Sequence, residues 1–141
     1  MSTPKIPTAA QKPKSLVWTV CAFRKPSMTE DEFHHYMTNV HAPLVRDALV
    51  RHGITRYSMS HFDSASKALL AQVMDPQFIN DAGYDMVTQI RFPDIQCFIN
   101  FKRDPFYKEH VMPDHDRFTD PARVFLSVGW VEDHVVDGVV V

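Results

Sequence analysis

Hydrophobic and polar residues along this chain follow two periods, one typical of strands and one typical of helices. Residues 16–23 are apolar at almost every position and rich in β-branched and aromatic types, which predicts a central strand buried on both faces. Residues 54–62 and 84–92 alternate with a period of two, which predicts two half-buried strands. Residues 124–131 predict a fourth strand.

A first helical region follows the first strand. Apolar side chains recur at helical spacing over residues 33–44, after an N-cap at Ser27 or Thr29. Because Ala42 precedes Pro43, we expect Ala42 to leave the helical conformation, so that the helix ends or kinks there before a second segment begins.

A second helical region follows the third strand. Asp94 can cap a helix whose inner face includes Ile95 and Phe98, and we expect a structured loop at residues 113–121, where prolines bound a run of ionisable side chains. Residues 63–83 predict a long excursion between the two halves, of unassigned role. The order β-α-β, loop, β-α-β predicts an α+β fold, a ferredoxin-like plait with a four-stranded antiparallel sheet.

The length of the chain fits one domain. Its 141 residues, of which 45% are hydrophobic, predict a single α+β domain at residues 16–134, between a disordered leader at 1–15 and a valine-rich tail at 135–141. No stretch has the length and apolarity of a signal peptide or membrane span, and the two cysteines lie far apart. We therefore expect a cytoplasmic protein in a reducing compartment, without a membrane partner.

The net charge of the chain and the expected surface of its sheet indicate which kinds of macromolecule it binds. The formal net charge is -2 and no basic run exceeds two residues, which argues against nucleic-acid binding. Amphipathic strands such as residues 54–62 leave a sheet face that helices on one side cannot cover. We therefore expect a homodimer.

Histidine is the unusual feature of the composition, because the chain contains eight of these residues, whose side chains can exchange protons near neutral pH. His34 and His41 lie at the edge of the apolar helical stripe, whereas His35 should face water. At a helix end, the dipole would favour the imidazolium form of His41. His61 lies on the inner face of the strand at residues 54–62. The other expected pocket residues are apolar or phenolic side chains, namely Phe33, Met37, Tyr57, Met59, Tyr84 and Phe98.

Asp114 and His115 place a carboxylate next to an imidazole. Adjacent side chains point apart, so Asp114 can orient a histidine elsewhere in the fold; loop capping with solvent exposure is the alternative. A metal site formed by His110, Asp114 and His115 is a second alternative, although no short paired-ligand motif is present. Glycine-rich nucleotide motifs are absent as well. We therefore expect acid/base chemistry without a metal or other cofactor.

Two motifs carry a resemblance to a known family. The His-Ala-Pro-Leu core at residues 41–44 and the Pro-Asp-His-x-x-Phe-x-Asp pattern at 113–120, in a β-α-β-β-α-β order, resemble the EthD-type dimeric α/β-barrel proteins. Within that group, residues 14–133 are similar to fungal enzymes that decarboxylate aromatic polyketide acids of the atrochrysone carboxylic acid type. The resemblance implies a dimeric α/β barrel and favours His41, Asp114 and His115 as catalytic residues.

The resemblance implies a reaction and leaves alternatives open. The expected activity is cofactor-independent loss of CO2 from a polycyclic polyketide acid, with a histidine or tyrosine donating to the developing enolate. Apolar walls would desolvate the leaving carboxylate. The same pocket could instead serve a polyketide dehydratase or cyclase, or a non-catalytic protein that binds a small molecule.

Overall fold

The computed structural model describes residues 14–78 and 80–141, which form a four-stranded antiparallel sheet with helices on one face. The expected leader lies outside the described residues except for Lys14 and Ser15. The strands lie in the order β2-β3-β1-β4. They are β1 (Ser15–Ala22), β2 (Arg56–His61), β3 (Met86–Phe92) and β4 (Phe125–Val131). This is the strand order of a ferredoxin-like plait, so the predicted α+β fold class is confirmed.

The register of the sheet decides which side chains face the helices. Trp18 on β1 lies opposite Ile90 on β3 and Val128 on β4, and Ile90 lies opposite Tyr57 on β2. Since side chains alternate along each strand, these four share the face that carries the helices. The opposite face of β2 presents the polar side chains of Arg56, Ser58 and Ser60.

The first helical region is continuous through the position where a break was expected. Helix α1 (Glu30–Tyr36) begins with a capping box at Thr29 and leads into a first π-turn (Met37–His41) and then helix α2 (Ala42–Arg51). Ala42 keeps helical dihedral angles, with φ -59° and ψ -46°, so the expectation that it leaves the helical conformation is wrong.

Pro43 explains the π-turn. Proline lacks an N–H, and its ring would collide with the carbonyl four residues earlier. The Ala42 N–H reaches back five residues to Met37 O, and this wider turn accommodates the proline without ending the helix.

The second helical region repeats this arrangement. Helix α4 (Ile95–Arg103), capped by Asp94, precedes a second π-turn (Tyr107–Val111) and helix α5 (Met112–Phe118). The loop expected at residues 113–121 is therefore mostly helix, because the Met112 N–H bonds to Tyr107 O and this wider turn accommodates Pro113 in the same way. Ile95, expected on the inner face, is instead exposed.

The remaining elements are short. Residues 63–83 contain α3 (Ser64–Ala68) and a 3-10 turn (Leu69–Gln72), and a second 3-10 turn (Pro121–Arg123) precedes β4. The tail forms a hairpin of β5 (Val135–Val136) and β6 (Val139–Val140). In the part of the chain that the structure describes, no helix has the length and apolarity needed to cross a membrane.

Two buried clusters fill the space between sheet and helices. One joins α2 and α4 to the sheet around Leu49, Phe92 and Phe98, and the other joins α1 and α5 to it around Met37 and Phe118. A cavity lies where the two clusters meet.

Candidate active site

The cavity between the sheet and the helices has a volume of about 350 Å³. Most of its wall is apolar, including Trp18, Val20, Met37, Val45, Ile90, Phe98 and Phe101. Its polar lining residues are His41, Tyr57, Thr88, Lys102, Tyr107, His115 and Thr119. A mostly apolar cavity with a few convergent polar groups is typical of a small-molecule site.

His41 and Asp114 form a buried pair at one wall. His41 is the last residue of the first π-turn, Asp114 lies in α5, and His41 Nδ1 is 2.8 Å from Asp114 Oδ2. The two residues are only 7% and 3% exposed. Because a carboxylate accepts, His41 Nδ1 carries the proton in this bond, and in neutral His41 the lone pair is on Nε2.

Burial decides the charge of His41. Desolvation lowers its pKa below the ordinary value, and the hydrogen bond and charge of Asp114 oppose that shift only in part. The expectation that a helix end would favour imidazolium is therefore wrong, since the helix continues past His41 and burial is the largest influence on its pKa.

Asp114 is itself held by two further side chains. Tyr36 donates its hydroxyl to Asp114 Oδ1, and Arg117 Nη1 lies 3.7 Å from the same oxygen. Burial and the bond to Asp114 raise the pKa of Tyr36. With both oxygens engaged, the carboxylate has a fixed orientation toward His41. Tyr36 belongs to the helical region at residues 33–44 and was not among the predicted site residues; its phenolic group was the available signal of this role.

His115 is the second imidazole of the cavity. Its ring centroid is 5.6 Å from that of His41. Burial first, and then the charges of His41 and Lys102, lower the pKa of His115 to about 4. Both cavity histidines are therefore neutral at pH 7 in the unliganded protein.

The predicted apolar and phenolic residues divide into two groups. Met37, Tyr57 and Phe98 line the cavity, and burial raises the pKa of Tyr57. Phe33, Met59 and Tyr84 lie outside its lining: Phe33 is buried in the core with Met59 packed against its cluster, and the Tyr84 ring contacts Phe23 and Phe125.

His34 and His61 meet away from the cavity. Their ring centroids are 4.6 Å apart beside a smaller pocket of about 70 Å³ that Arg24 and Asp85 also line. Burial and the neighbouring His34 lower the pKa of His61. The structure thus places these two predicted residues together, in a pocket separate from His41.

Lys102 and Tyr107 belong to the cavity wall and were not among the predicted site residues. Lys102 Nζ donates to Tyr107 Oη at 2.5 Å. The helical period of α4 already directs Lys102 inward, and an inward lysine was the signal that could have identified it.

The alternative metal site has no support in the geometry. His110 is exposed and its nearest carboxylate is that of Glu109, while Asp114 is bound to His41. Over residues 14–78 and 80–141, no three His, Cys, Asp or Glu side chains lie close enough together to hold a metal ion.

Comparison with known proteins gives relatives of nearly the same length. The chain is 39% identical to "Decarboxylase claH" of Passalora fulva, over 100% of this chain and 97% of the relative. It is 43% identical to "Dehydratase aurZ" of Gibberella zeae, over 95% and 89% of the two chains. Other fungal relatives are likewise named decarboxylases or dehydratases.

A solved structure matches the fold at much lower identity. A dimeric protein of unknown function and ferredoxin-like fold from Bacteroides fragilis aligns with a TM-score of 0.54 at 8% identity, covering 83% of this chain and 96% of its own. The model of the EthD domain matches residues 25–122, which include His41, Asp114 and His115. Together with the two motifs and the identity to fungal relatives, this match shows that the chain belongs to the EthD family.

Proposed function

We propose that this protein is a cofactor-independent decarboxylase of an aromatic polyketide carboxylic acid of the atrochrysone carboxylic acid type, in fungal secondary metabolism. The relatives' names support a lyase-type enzyme. The observation that carries the proposal is the His41–Asp114 pair at the wall of a mostly apolar cavity.

The reaction requires a proton and a place for an electron pair. The bond between the ring carbon and the carboxylate breaks, CO2 leaves, and the electron pair moves onto a carbonyl oxygen β to the carboxylate, either of a ketone or of the keto tautomer of a phenol. A proton must then be added to carbon. Such substrates contain their own electron sink, so the protein needs to stabilise the developing oxyanion and supply the proton.

His41 can supply that proton once the substrate is bound. An anionic substrate in the cavity raises the pKa of the nearby imidazole, because an opposite charge favours its protonated form. Asp114 then partners the imidazolium through Nδ1–H, which leaves Nε2–H as the proton donor. His115 lies close enough to contribute to the same wall.

The dependence of kcat/KM on pH distinguishes a role of His41 as proton donor from a role as proton acceptor. The profile of kcat/KM reports the unliganded protein, in which the pKa of His41 is lowered. If protonated His41 is the acid, kcat/KM should therefore fall about tenfold for each pH unit across the whole neutral range. If neutral His41 is the base of the reaction, kcat/KM should instead stay constant across the neutral range and fall only below the lowered pKa.

The test of the activity is direct product analysis. The protein, treated with a chelator and dialysed, is incubated with a panel of anthrone-type polyketide acids, and released CO2 and the decarboxylated product are measured together. Turnover under these conditions supports the proposal. Activity that disappears on chelation and returns with zinc would contradict it.

Dehydration or cyclisation is the second candidate, because a relative at 43% identity is named a dehydratase. Both reactions begin with proton transfer next to a carbonyl and could use the same pair. Loss of water without loss of CO2 in the panel would identify this alternative. Unchanged ligand after prolonged incubation would indicate a non-catalytic binding protein.

We also propose that the protein is a homodimer. Apolar side chains along β4 are uncovered, with Phe125, Leu126, Val128 and Trp130 all at least half exposed. An exposed apolar edge strand is uncommon in monomers. The Bacteroides fragilis protein of the same fold is described as dimeric, which supports a second copy as the partner of this edge and the closed dimeric α/β barrel that the family resemblance implies.

A further inference from the structure

Lys102 is an unusual member of a mostly apolar cavity. Among the described residues that line the cavity, it is the only lysine or arginine, and none of them is an aspartate or glutamate. The cavity wall therefore carries a positive charge at pH 7, since His41 and His115 are neutral there in the unliganded protein.

Aromatic rings surround the ammonium group of Lys102. Its Nζ lies 5.2 Å from the ring centroid of Trp18, 5.5 Å from that of Phe98 and 4.4 Å from that of Tyr107. Such rings stabilise a cation partly through their negative faces. They cannot accept the strong, directed hydrogen bonds that a carboxylate accepts.

The ammonium lacks an anionic partner. Within residues 14–78 and 80–141, no carboxylate lies within 4.0 Å of Lys102 Nζ, and its hydrogen bond goes to the neutral hydroxyl of Tyr107. A half-buried charge without a counter-charge is costly, and a bound anion would remove most of that cost.

We propose that Lys102 Nζ and Tyr107 Oη form a subsite that binds an anionic oxygen of the ligand in the cavity. The ammonium provides the charge and the phenol a second donor. This extends the proposed function by giving the substrate's negative charge a place on the same wall as His115, whose ring centroid is 6.4 Å from that of Tyr107.

The anionic oxygen can come from two parts of such a substrate. One is the carboxylate before CO2 leaves, and the other is the carbonyl oxygen that receives the electron pair. Binding the carboxylate stabilises the ground state, whereas binding the second oxygen stabilises the transition state. The two sources therefore affect KM and kcat differently.

The subsite can be tested without turnover. 2-Naphthoate and the uncharged 2-naphthamide have nearly the same shape, and neither has the β-carbonyl needed to lose CO2. Titration calorimetry should show that the wild-type protein binds the naphthoate about 10- to 100-fold more tightly, the range for a hydrogen bond to a charged group. Lys102→Met should abolish this preference while still binding the amide.

Two further variants keep the test decisive. Tyr107→Phe retains the ring but removes Oη, and should reduce the preference for naphthoate in part. Lys108→Met is the matched control, because Lys108 is exposed on the second π-turn and its loss should leave the preference intact. Circular dichroism would show whether each variant is folded, and Tyr107→Phe provides the answer if Lys102→Met is not.

Equal affinity of the wild-type protein for the two probes, or an unchanged preference in folded Lys102→Met, would overturn the subsite. Both measurements are independent of catalysis, so they stand even if the decarboxylase proposal fails. If turnover is found, a higher KM with unchanged kcat in Lys102→Met assigns the subsite to the substrate carboxylate. A lower kcat assigns it to the oxygen that receives the electron pair, and no change in either constant rejects it.

Discussion

His41 is the side chain whose loss should affect the chemistry most. It lines the cavity, and its Nδ1 is engaged with Asp114, 73 positions further along the chain. We expect His41→Ala to lower kcat by about two to four decades, the range for losing a general acid or an oxyanion donor. Circular dichroism and the oligomeric state should remain those of the wild type.

His35→Ala is the matched control for this substitution. His35 belongs to the same helical region but is exposed, so its removal should change kcat little. His115→Ala should give a kcat between wild type and His41→Ala, since it lines the cavity without contacting Asp114 in the way His41 does. A folded His41→Ala protein with near wild-type turnover would rule out the mechanism.

The cavity histidines should also make the fold sensitive to acid. The folded-state pKa of His115 is about 4, and that of His41 is also lowered, whereas an unfolded histidine titrates near 6.5. Between these values the unfolded chain binds protons that the folded chain does not. The free energy of unfolding should therefore fall as the pH decreases from about 6.5 to 4, by about 2 kcal/mol.

Denaturant unfolding at pH 7.5 and 4.5 would measure this difference. In His115→Gln, which keeps a polar side chain without titrating, the loss of stability over the same pH interval should be smaller. An equal loss in both proteins would show that other groups cause the acid sensitivity.

At the scale of elements, the two π-turns bring the cavity histidines and Asp114 together. Each turn precedes a proline, Pro43 in one helical region and Pro113 in the other. Pro43→Ala restores an N–H and removes the clash, so the first region can relax to a regular α-helix. Since His41 is part of the turn, we expect its ring to shift from Asp114 and kcat to fall by roughly tenfold, because small displacements at a reacting centre are costly.

Pro93→Ala is the control, because Pro93 is exposed and precedes the capping residue Asp94. Crystal structures of both variants would show whether the 2.8 Å bond between His41 and Asp114 is retained. Retention of that bond together with unchanged kcat in Pro43→Ala would show that the proline is dispensable for the site.

The same elements show how much of the fold the sequence could predict. Periodicity located all four strands of the main sheet and the helix capped by Asp94, because those patterns depend on local burial. It is wrong at Ala42 and at residues 113–121, because a sequence pattern with proline predicts the end of a helix. Proline prevents the α-helical hydrogen bond to the carbonyl four residues earlier, but it is compatible with a π-turn. Only tertiary packing makes such a π-turn favourable.

The candidate site was predictable in its residue types and less so in its contacts. An inward-facing histidine and a distant carboxylate could be identified from patterns and resemblance. The partnership of Tyr36 with Asp114 depends on how two helices cross, and these residues are 78 positions apart. The division of the histidines between two pockets has the same origin, because the sheet register places His61 at the far end of β2.

At the scale of the whole molecule, the uncovered apolar strand β4 leads to the dimer prediction. Light scattering at micromolar concentration should give twice the chain mass of 16.2 kDa. Val128→Glu should shift the protein toward monomer, because it places a charge on an apolar contact surface. Val50→Glu, at an exposed position on α2, should remain dimeric. A wild-type monomer would remove this proposal.

The register of the sheet also indicates where the chain could be circularly permuted. Ser15 at the start of β1 lies opposite Val131 at the end of β4, on neighbouring antiparallel strands. A short linker could therefore join these two ends, and new termini could be opened in the exposed stretch at residues 73–78 between the two β-α-β halves. In that permuted chain, Asp114 would precede His41 in sequence while the bond between them stayed the same. The order in which the two halves are synthesised therefore does not determine the geometry of the His41–Asp114 pair.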